Sequence, residues 1–252
     1  MKPTIVVMPG DGVGPEIIDA TRAVMAAVES RFGHAFETHD VAIGGAALDA
    51  HGVPLRDEDL KTCRRADAVL LGAVGGPKWD NFPVELRPER GLLALRKGMG
   101  LYANLRPVSV HPSLTDTSPI KSEIVRDVDM VVVRELTGGI YFGKPSKQWE
   151  DSRGRLAVDT MKYREQEIEQ VVRIAFELAR TRRSHVTSVD KSNVLATSRL
   201  WRAVVDEVAP EYPDVAAEHA LVDATAMRLV RQPGRFDVLV MENMFGDILT
   251  DE

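Results

Sequence analysis

Thr4-Ile5-Val6-Val7-Met8-Pro9-Gly10-Asp11-Gly12-Val13-Gly14-Pro15 sets the folding pattern of the chain. A short apolar strand runs into a glycine turn, and a helix follows in which Pro15 suits the first turn, where its missing N–H is unpaired anyway. The expected helix carries Ile17, Ile18, Val24, Met25 and Val28 as an apolar stripe. The same alternation continues. Asp67-Ala68-Val69-Leu70-Leu71-Gly72 reads as a buried strand entering the turn Gly75-Gly76-Pro77. Asp129-Met130-Val131-Val132-Val133-Arg134-Glu135 reads as another buried strand, and further strands are expected over 184–190, 214–221 and 235–241. Helices are expected over 164–180, with Ile168, Val171, Val172, Ala175 and Leu178 inward, and over 198–208, with Trp201, Val204, Val205 and Val208 inward. Strands alternating with helices indicate an α/β fold with a largely parallel sheet. The polar stretch 143–159 breaks the rhythm and predicts an extended arm or hairpin.

Composition narrows the function classes. The chain has 252 residues and a net charge of −6, which disfavours bulk binding to nucleic acid or to an anionic membrane. No apolar run approaches the ~20 residues that span a bilayer, and the N-terminal apolar stretch is too short for a secretory signal. A single cysteine, Cys63, excludes internal disulfides and reads as a small, partly buried residue in a reducing compartment. A soluble cytoplasmic protein is expected, with neither nucleic acid nor membrane as partner. The basic cluster Arg180, Arg182 and Arg183 reads as solvated charge at a helix C-terminus.

Several residues stand in settings that carry chemistry. The glycine turn at Gly10 admits a phosphate cradle or a plain tight turn, and its spacing differs from Gly-x-Gly-x-x-Gly. Asp247 and Asp251, four apart on an expected helix, share a face and repel unless a cation lies between them; hard oxygen ligands suit Mg²⁺ or Mn²⁺. Two solvated surface acids are the plainer alternative. Arg96, Arg106 and Arg134 sit beside apolar runs, where a guanidinium needs a partner, and three such forks fit a polycarboxylate ligand as well as structural ion pairs. Lys191 follows a buried strand, where open α/β sheets place their sites.

These motifs together resemble the β-decarboxylating dehydrogenases of the isocitrate/isopropylmalate type. The resemblance rests on Pro9-Gly10-Asp11-Gly12-Val13-Gly14-Pro15-Glu16, Gly75-Gly76-Pro77-Lys78-Trp79-Asp80, Gly91-Leu92-Leu93-x-Leu95-Arg96, Asn104-Leu105-Arg106-Pro107, residues 134–143, Val189-Asp190-Lys191-x-Asn193-Val194, Val222-Asp223-Ala224-x-Ala226-Met227 and Asn243-x-Phe245-Gly246-Asp247-Ile248-Leu249. It implies that family's own two-domain fold, not a Rossmann fold. Residues 1–99 are then the N-terminal half of the first, NAD-side domain, and residues 100–252 the second, substrate-binding and dimer-forming domain, with 143–159 as the dimer clasp. The implied reaction is the NAD-dependent oxidative decarboxylation of (2R,3S)-3-isopropylmalate to 4-methyl-2-oxopentanoate and CO₂, in leucine biosynthesis. Tartrate, malate and homoisocitrate oxidation remain as alternatives, as does an inactive fragment.

Roles follow position by position. Arg96, Arg106 and Arg134 hold the substrate carboxylates; Asp223, Asp247 and Asp251 bind Mg²⁺ or Mn²⁺, and Asp223 also meets the substrate. Lys191 relays the hydroxyl proton and Tyr141 protonates the enolate. Leu92, Leu93 and Val194 form an apolar face for the isopropyl group, where an unpaired third carboxylate of isocitrate is costly to bury. Gly76, Pro77, Lys78, Trp79, Asp80 and Glu89, within 76–89, lie along the nicotinamide side of NAD. In the family Lys191, Asp223 and Val194 reach the site from a partner, so a homodimer with shared active sites is expected. Thr250 stands where serine is usual. Family members continue past residue 252, through a His-Gly-Ser-Ala-Pro-Asp loop that grips the adenosine. A truncated chain with low or no turnover is therefore expected.

Overall fold

The computed structural model describes residues 2–251, which divide into two compact units, 2–100 and 101–251. Among them no helix is long and apolar enough to cross a membrane.

The first unit holds β1 (Thr4–Gly10), α1 (Gly14–Phe32), β2 (Glu37–Asp40), α2 (Gly45–His51), α3 (Asp57–Arg65), β3 (Ala68–Ala73) and α4 (Pro88–Met99). Its three strands pair in parallel in the order β2-β1-β3. Val6 and Met8 of β1 pack with Val41, Ile43, Cys63 and Leu95. Cys63 is fully buried rather than partly so, and burial pushes its thiol pKa up. The strand expected over 67–72 forms as β3, but half-buried rather than buried. The expected stripe on α1 also splits. Ile18 is buried, Met25 and Val28 are half-buried, and Ile17 and Val24 are exposed. Adjacent helical residues point about 100° apart, so Ile17 and Ile18 cannot both face the sheet.

The second unit holds β4 (Ala103–Ser109), α5 (Ser122–Val125), β5 (Asp129–Glu135), the hairpin β6 (Lys147–Asp151) and β7 (Gly154–Val158), α6 (Glu165–Arg180), β8 (His185–Asp190), α7 (Ala196–Val208), β9 (Ala216–Leu221), α8 (Val222–Arg231), β10 (Val238–Met241) and α9 (Asn243–Leu249). Its main sheet has the order β4-β5-β10-β8-β9, and β4 alone runs antiparallel to its neighbour. Both faces are covered, which explains why β5 and β10 are continuous apolar runs rather than alternating ones. Val131, Val133, Val238 and Val240 pack against Phe176 of α6 and Trp201 of α7. On the opposite face Met130, Val132, Leu239 and Met241 meet Leu229 of α8 and Phe245 and Leu249 of α9.

The break at 143–159 is a two-stranded hairpin, as its composition predicts. The strands expected from 214 and 235 begin later, at Ala216 and Val238, because turns occupy the residues before them. The basic cluster is paired rather than simply solvated. Arg180 meets Asp214, while Arg182 bridges Asp129 and Asp237. Asp237 is buried and needs that charge.

Phe176→Ala is expected to cost about 3–5 kcal/mol of unfolding free energy in urea titrations, because its cavity opens inside the α6–sheet layer. Val24→Ala, on the exposed face of α1, is expected to stay within about 0.5 kcal/mol.

Candidate active site

The second unit gathers its chemistry around a buried guanidinium. Arg134 ends the apolar run of β5 and is 3% exposed. Its Nε and Nη2 donate to Oδ1 of Asn243 at 3.1 and 2.8 Å, and its Nη1 donates to Asp247. Asn243 and Asp247 lie four residues apart on α9 and so share a face. The helix comes close because residue 246 is glycine: a Cβ there meets Arg134 Cγ at 2.6 Å. The Tyr141 hydroxyl donates to the other oxygen of Asp247, and the Arg134 guanidinium carbon lies 5.8 Å from the centre of the Tyr141 ring.

These contacts set the proton affinities. Partial burial, helped by the Asp247 carboxylate, pushes the Tyr141 phenol up to about 12. Burial works against the Asp247 carboxylate, but the Tyr141 hydroxyl and the Arg134 charge outweigh it and hold the group below the ordinary carboxylate range. Arg106 on β4 stands opposite Val132, on the same face as Arg134, with its Nε 2.8 Å from Asn104 Oδ1. Its charge also acts on Asp247.

A second pair forms at the end of β8. Lys191 Nζ lies 2.9 Å from Asp223 Oδ1 at the start of α8 and holds that carboxyl below its ordinary range. Buried Asp190 anchors the turn by accepting from Arg202 Nε at 2.9 Å and from the Ser192 N–H at 2.8 Å. Val194 is exposed.

Asp251 differs from expectation. Helix α9 ends at Leu249, so Asp251 lies beyond it, exposed, and the helical face expected to carry it with Asp247 is not formed there. Among the described residues no three His, Cys, Asp or Glu side chains gather closely enough to hold a metal ion. Asp247 and Asp223 do supply hard carboxylate oxygens of the kind Mg²⁺ and Mn²⁺ take.

In the first unit, α4 carries Glu89 in its first turn, half-buried Leu92 and Leu93, and Arg96. The Gly75–Asp80 loop lies against α2. Lys78 pairs with Asp49, and the Trp79 indole N–H reaches the same carboxylate at 3.3 Å. A Cβ on Gly75 meets Glu89 Oε1 at 2.8 Å, and one on Gly76 meets the Trp79 ring at 3.2 Å. A bare backbone thus runs between Glu89 and Trp79.

Sequence reading missed a buried acidic cluster behind α9. The Tyr163 hydroxyl accepts from the Asn243 N–H at 3.0 Å and faces Oε2 of both Glu135, at 3.0 Å, and Glu242, at 3.2 Å. One phenolic proton serves two carboxylates. Glu135 also accepts from Gly138, and Glu242 caps α9 through Met244 and Phe245. Burial raises the Glu242 pKa above its ordinary 4.5, against the pull of its backbone donors, and Glu135 adds repulsion. Only the capping position of Glu242 before α9 was open to a sequence signal; nothing local marks Tyr163.

A carboxyl whose pKa is raised by folding contributes most below its unfolded value, and that contribution is lost as pH rises through the folded one. Glu242→Gln fixes the neutral form. In urea unfolding, its stability relative to the unsubstituted chain is therefore expected to improve as pH rises above 4.5. A constant difference across that range contradicts the assignment.

Comparison with known proteins identifies the family. Residues 4–252 match the isocitrate/isopropylmalate dehydrogenase family. The chain is 55% identical over 252 residues to the 3-isopropylmalate dehydrogenase of Halalkalibacterium halodurans, covering 100% of this chain and 69% of that protein. It is 56% identical over 253 residues to that of Bacillus subtilis, again covering 100% of this chain and 69% of the relative. Among solved structures, isocitrate dehydrogenase from Methylococcus capsulatus superposes with a TM-score of 0.83 at 35% identity, over 100% of this chain and 69% of that one. The chain belongs to the isocitrate/isopropylmalate dehydrogenase family.

Proposed function

We propose that this chain acts on (2R,3S)-3-isopropylmalate, passing hydride to NAD and releasing CO₂ to leave 4-methyl-2-oxopentanoate, a step of leucine biosynthesis. The observation that carries the reading is the meeting of Arg134, Tyr141 and Asp247. A carboxylate-binding fork, a proton donor and a metal-type carboxylate share one hydrogen-bonded cluster.

Arg134 and Arg106, with Arg96, bind the two carboxylates of the malate backbone, since guanidinium forks match carboxylates in bidentate fashion. Leu92 and Leu93, with Val194 of the partner subunit, receive the isopropyl group. Isocitrate brings a third carboxylate to the same apolar residues, and burying it unpaired is costly. Lys191 of the partner subunit takes the hydroxyl proton as hydride leaves the carbon. Once CO₂ departs, Tyr141 gives its phenolic proton to the enolate carbon. Its pKa of about 12 keeps the phenol protonated at neutral pH and ready for that donation. Asp247, with Asp251 from the segment just past α9 and Asp223 of the partner subunit, would hold Mg²⁺ or Mn²⁺. When bound, that ion supplies Lewis-acid stabilisation of the developing negative charge. Residues 76–89 present the bare backbone of Gly76 and the side chains of Lys78, Trp79, Asp80 and Glu89 to the nicotinamide half of NAD. The active form is a homodimer clasped by the 147–158 hairpin, because the Lys191–Asp223 pair serves the neighbouring subunit's cluster.

Calorimetric titration of 3-isopropylmalate, with isocitrate as control, tests this reading. Binding is expected with Mn²⁺ present, to be lost when EDTA removes the metal, and to be absent for isocitrate under either condition. Equal binding of the two acids, or binding indifferent to metal, overturns it.

A further inference from the structure

The glycine turn that opens the chain already contains an anion of its own. Asp11 is 4% exposed. Its Oδ2 accepts from the Gly45 N–H at 2.7 Å and the Gly75 N–H at 2.9 Å, and its Oδ1 accepts from the Ala46 N–H at 2.7 Å. Its own N–H donates to the Ala73 carbonyl at 2.7 Å. One carboxylate therefore ties the β1–α1 turn to the start of α2 and to the loop after β3. These donors lie at the start of α2 and after β3, not in the glycine turn that carries Asp11.

The surrounding glycines are shaped to this clasp. A Cβ on Gly44 falls 2.4 Å from Asp11 Oδ2, and one on Gly45 falls 2.3 Å from the Trp79 ring. The loop is thus fastened at both ends. Asp11 holds Gly75, while Asp49 on α2 holds Lys78 and Trp79. Asp11 also receives the first N–H groups of that same helix, which closes the circuit from the turn through α2 to the loop and back.

We propose that Asp11 is a positioning residue for the cofactor: its buried carboxylate holds the Gly75–Asp80 loop in the shape that meets NAD. The proposal rests on the reading of residues 76–89 as the NAD-side segment. Charge-assisted bonds to backbone N–H groups are among the stronger hydrogen bonds, and three converge on this side chain. The geometry specifies a carboxylate. Asparagine keeps the volume but offers one oxygen to three N–H groups, and it turns an amide N–H toward at least one of them.

The test compares the full chain with Asp11→Asn by amide hydrogen exchange and by calorimetric titration of NAD and, separately, of 3-isopropylmalate with Mn²⁺. In Asp11→Asn, exchange in segments 43–48 and 73–80 is expected to quicken about tenfold while the sheet of β4, β5, β10, β8 and β9 stays unchanged. NAD affinity is expected to fall about tenfold, with isopropylmalate affinity within about twofold. A second variant, Ala46→Pro, removes one donor at an exposed position in the first turn of α2, where proline is tolerated, and leaves Asp11 in place. It is expected to weaken NAD about threefold, and it keeps the test open where Asp11→Asn fails to fold. Unchanged NAD affinity in both variants, or NAD and isopropylmalate affinities falling together, overturns the positioning role. Absence of NAD binding by the unsubstituted chain overturns the cofactor reading itself and the role built on it, a result distinct from either of those.

Discussion

A guanidinium buried at the end of a central parallel strand has to be paired, and the pairing of Arg134 organises the second unit. An unpaired buried charge costs several kcal/mol. Asn243 and Asp247 meet that demand from α9, one helical turn apart. The requirement fixes which face of α9 lies on β5 and how close it comes, and Gly246 lets it come that close. Tyr141 then completes the second oxygen of Asp247. Without that charge the Asp247–Tyr141 contact loses its cationic partner, and α9 is left to the packing of Phe245 and Leu249.

Proton chemistry follows from the same arrangement. Asp247 is held ionised, and its charge together with partial burial keeps the Tyr141 phenol neutral up to about 12. Two adjacent oxygens thus have opposite proton affinities, which suits one to a cation and the other to giving a proton away. Behind α9 the Glu135–Tyr163–Glu242 cluster fixes the helix from its other side through the Asn243 N–H and the cap of Glu242. The first unit solves a comparable problem differently. Asp11 has backbone N–H groups as its donors, and it orders loops rather than a helix.

Much of this was legible in the sequence where the signal is local. Both-face burial wrote β5 and β10 as unbroken apolar runs, the composition of 143–159 announced a hairpin, and the inward residues of α6 and α7 followed helical spacing. Arg134, closing an apolar run, declared that it needed a partner. The identity of that partner was hidden, because Asn243 lies 109 residues away and only folding joins them. The donors of Asp11, 34 to 64 residues distant, were equally invisible. The α1 stripe misled because Ile17 and Ile18 both fit an apolar face when only Ile18 points inward. The pairing of Asp247 with Asp251 assumed a helix longer than α9.

A crystal structure of the chain with 3-isopropylmalate and Mn²⁺ tests the central claim most directly. The expected result places a substrate carboxylate on Arg134 and Arg106, the metal on Asp247, and the Tyr141 hydroxyl turned from Asp247 toward the substrate. A ligand bound away from Arg134, with Tyr141 still closed on Asp247, contradicts it.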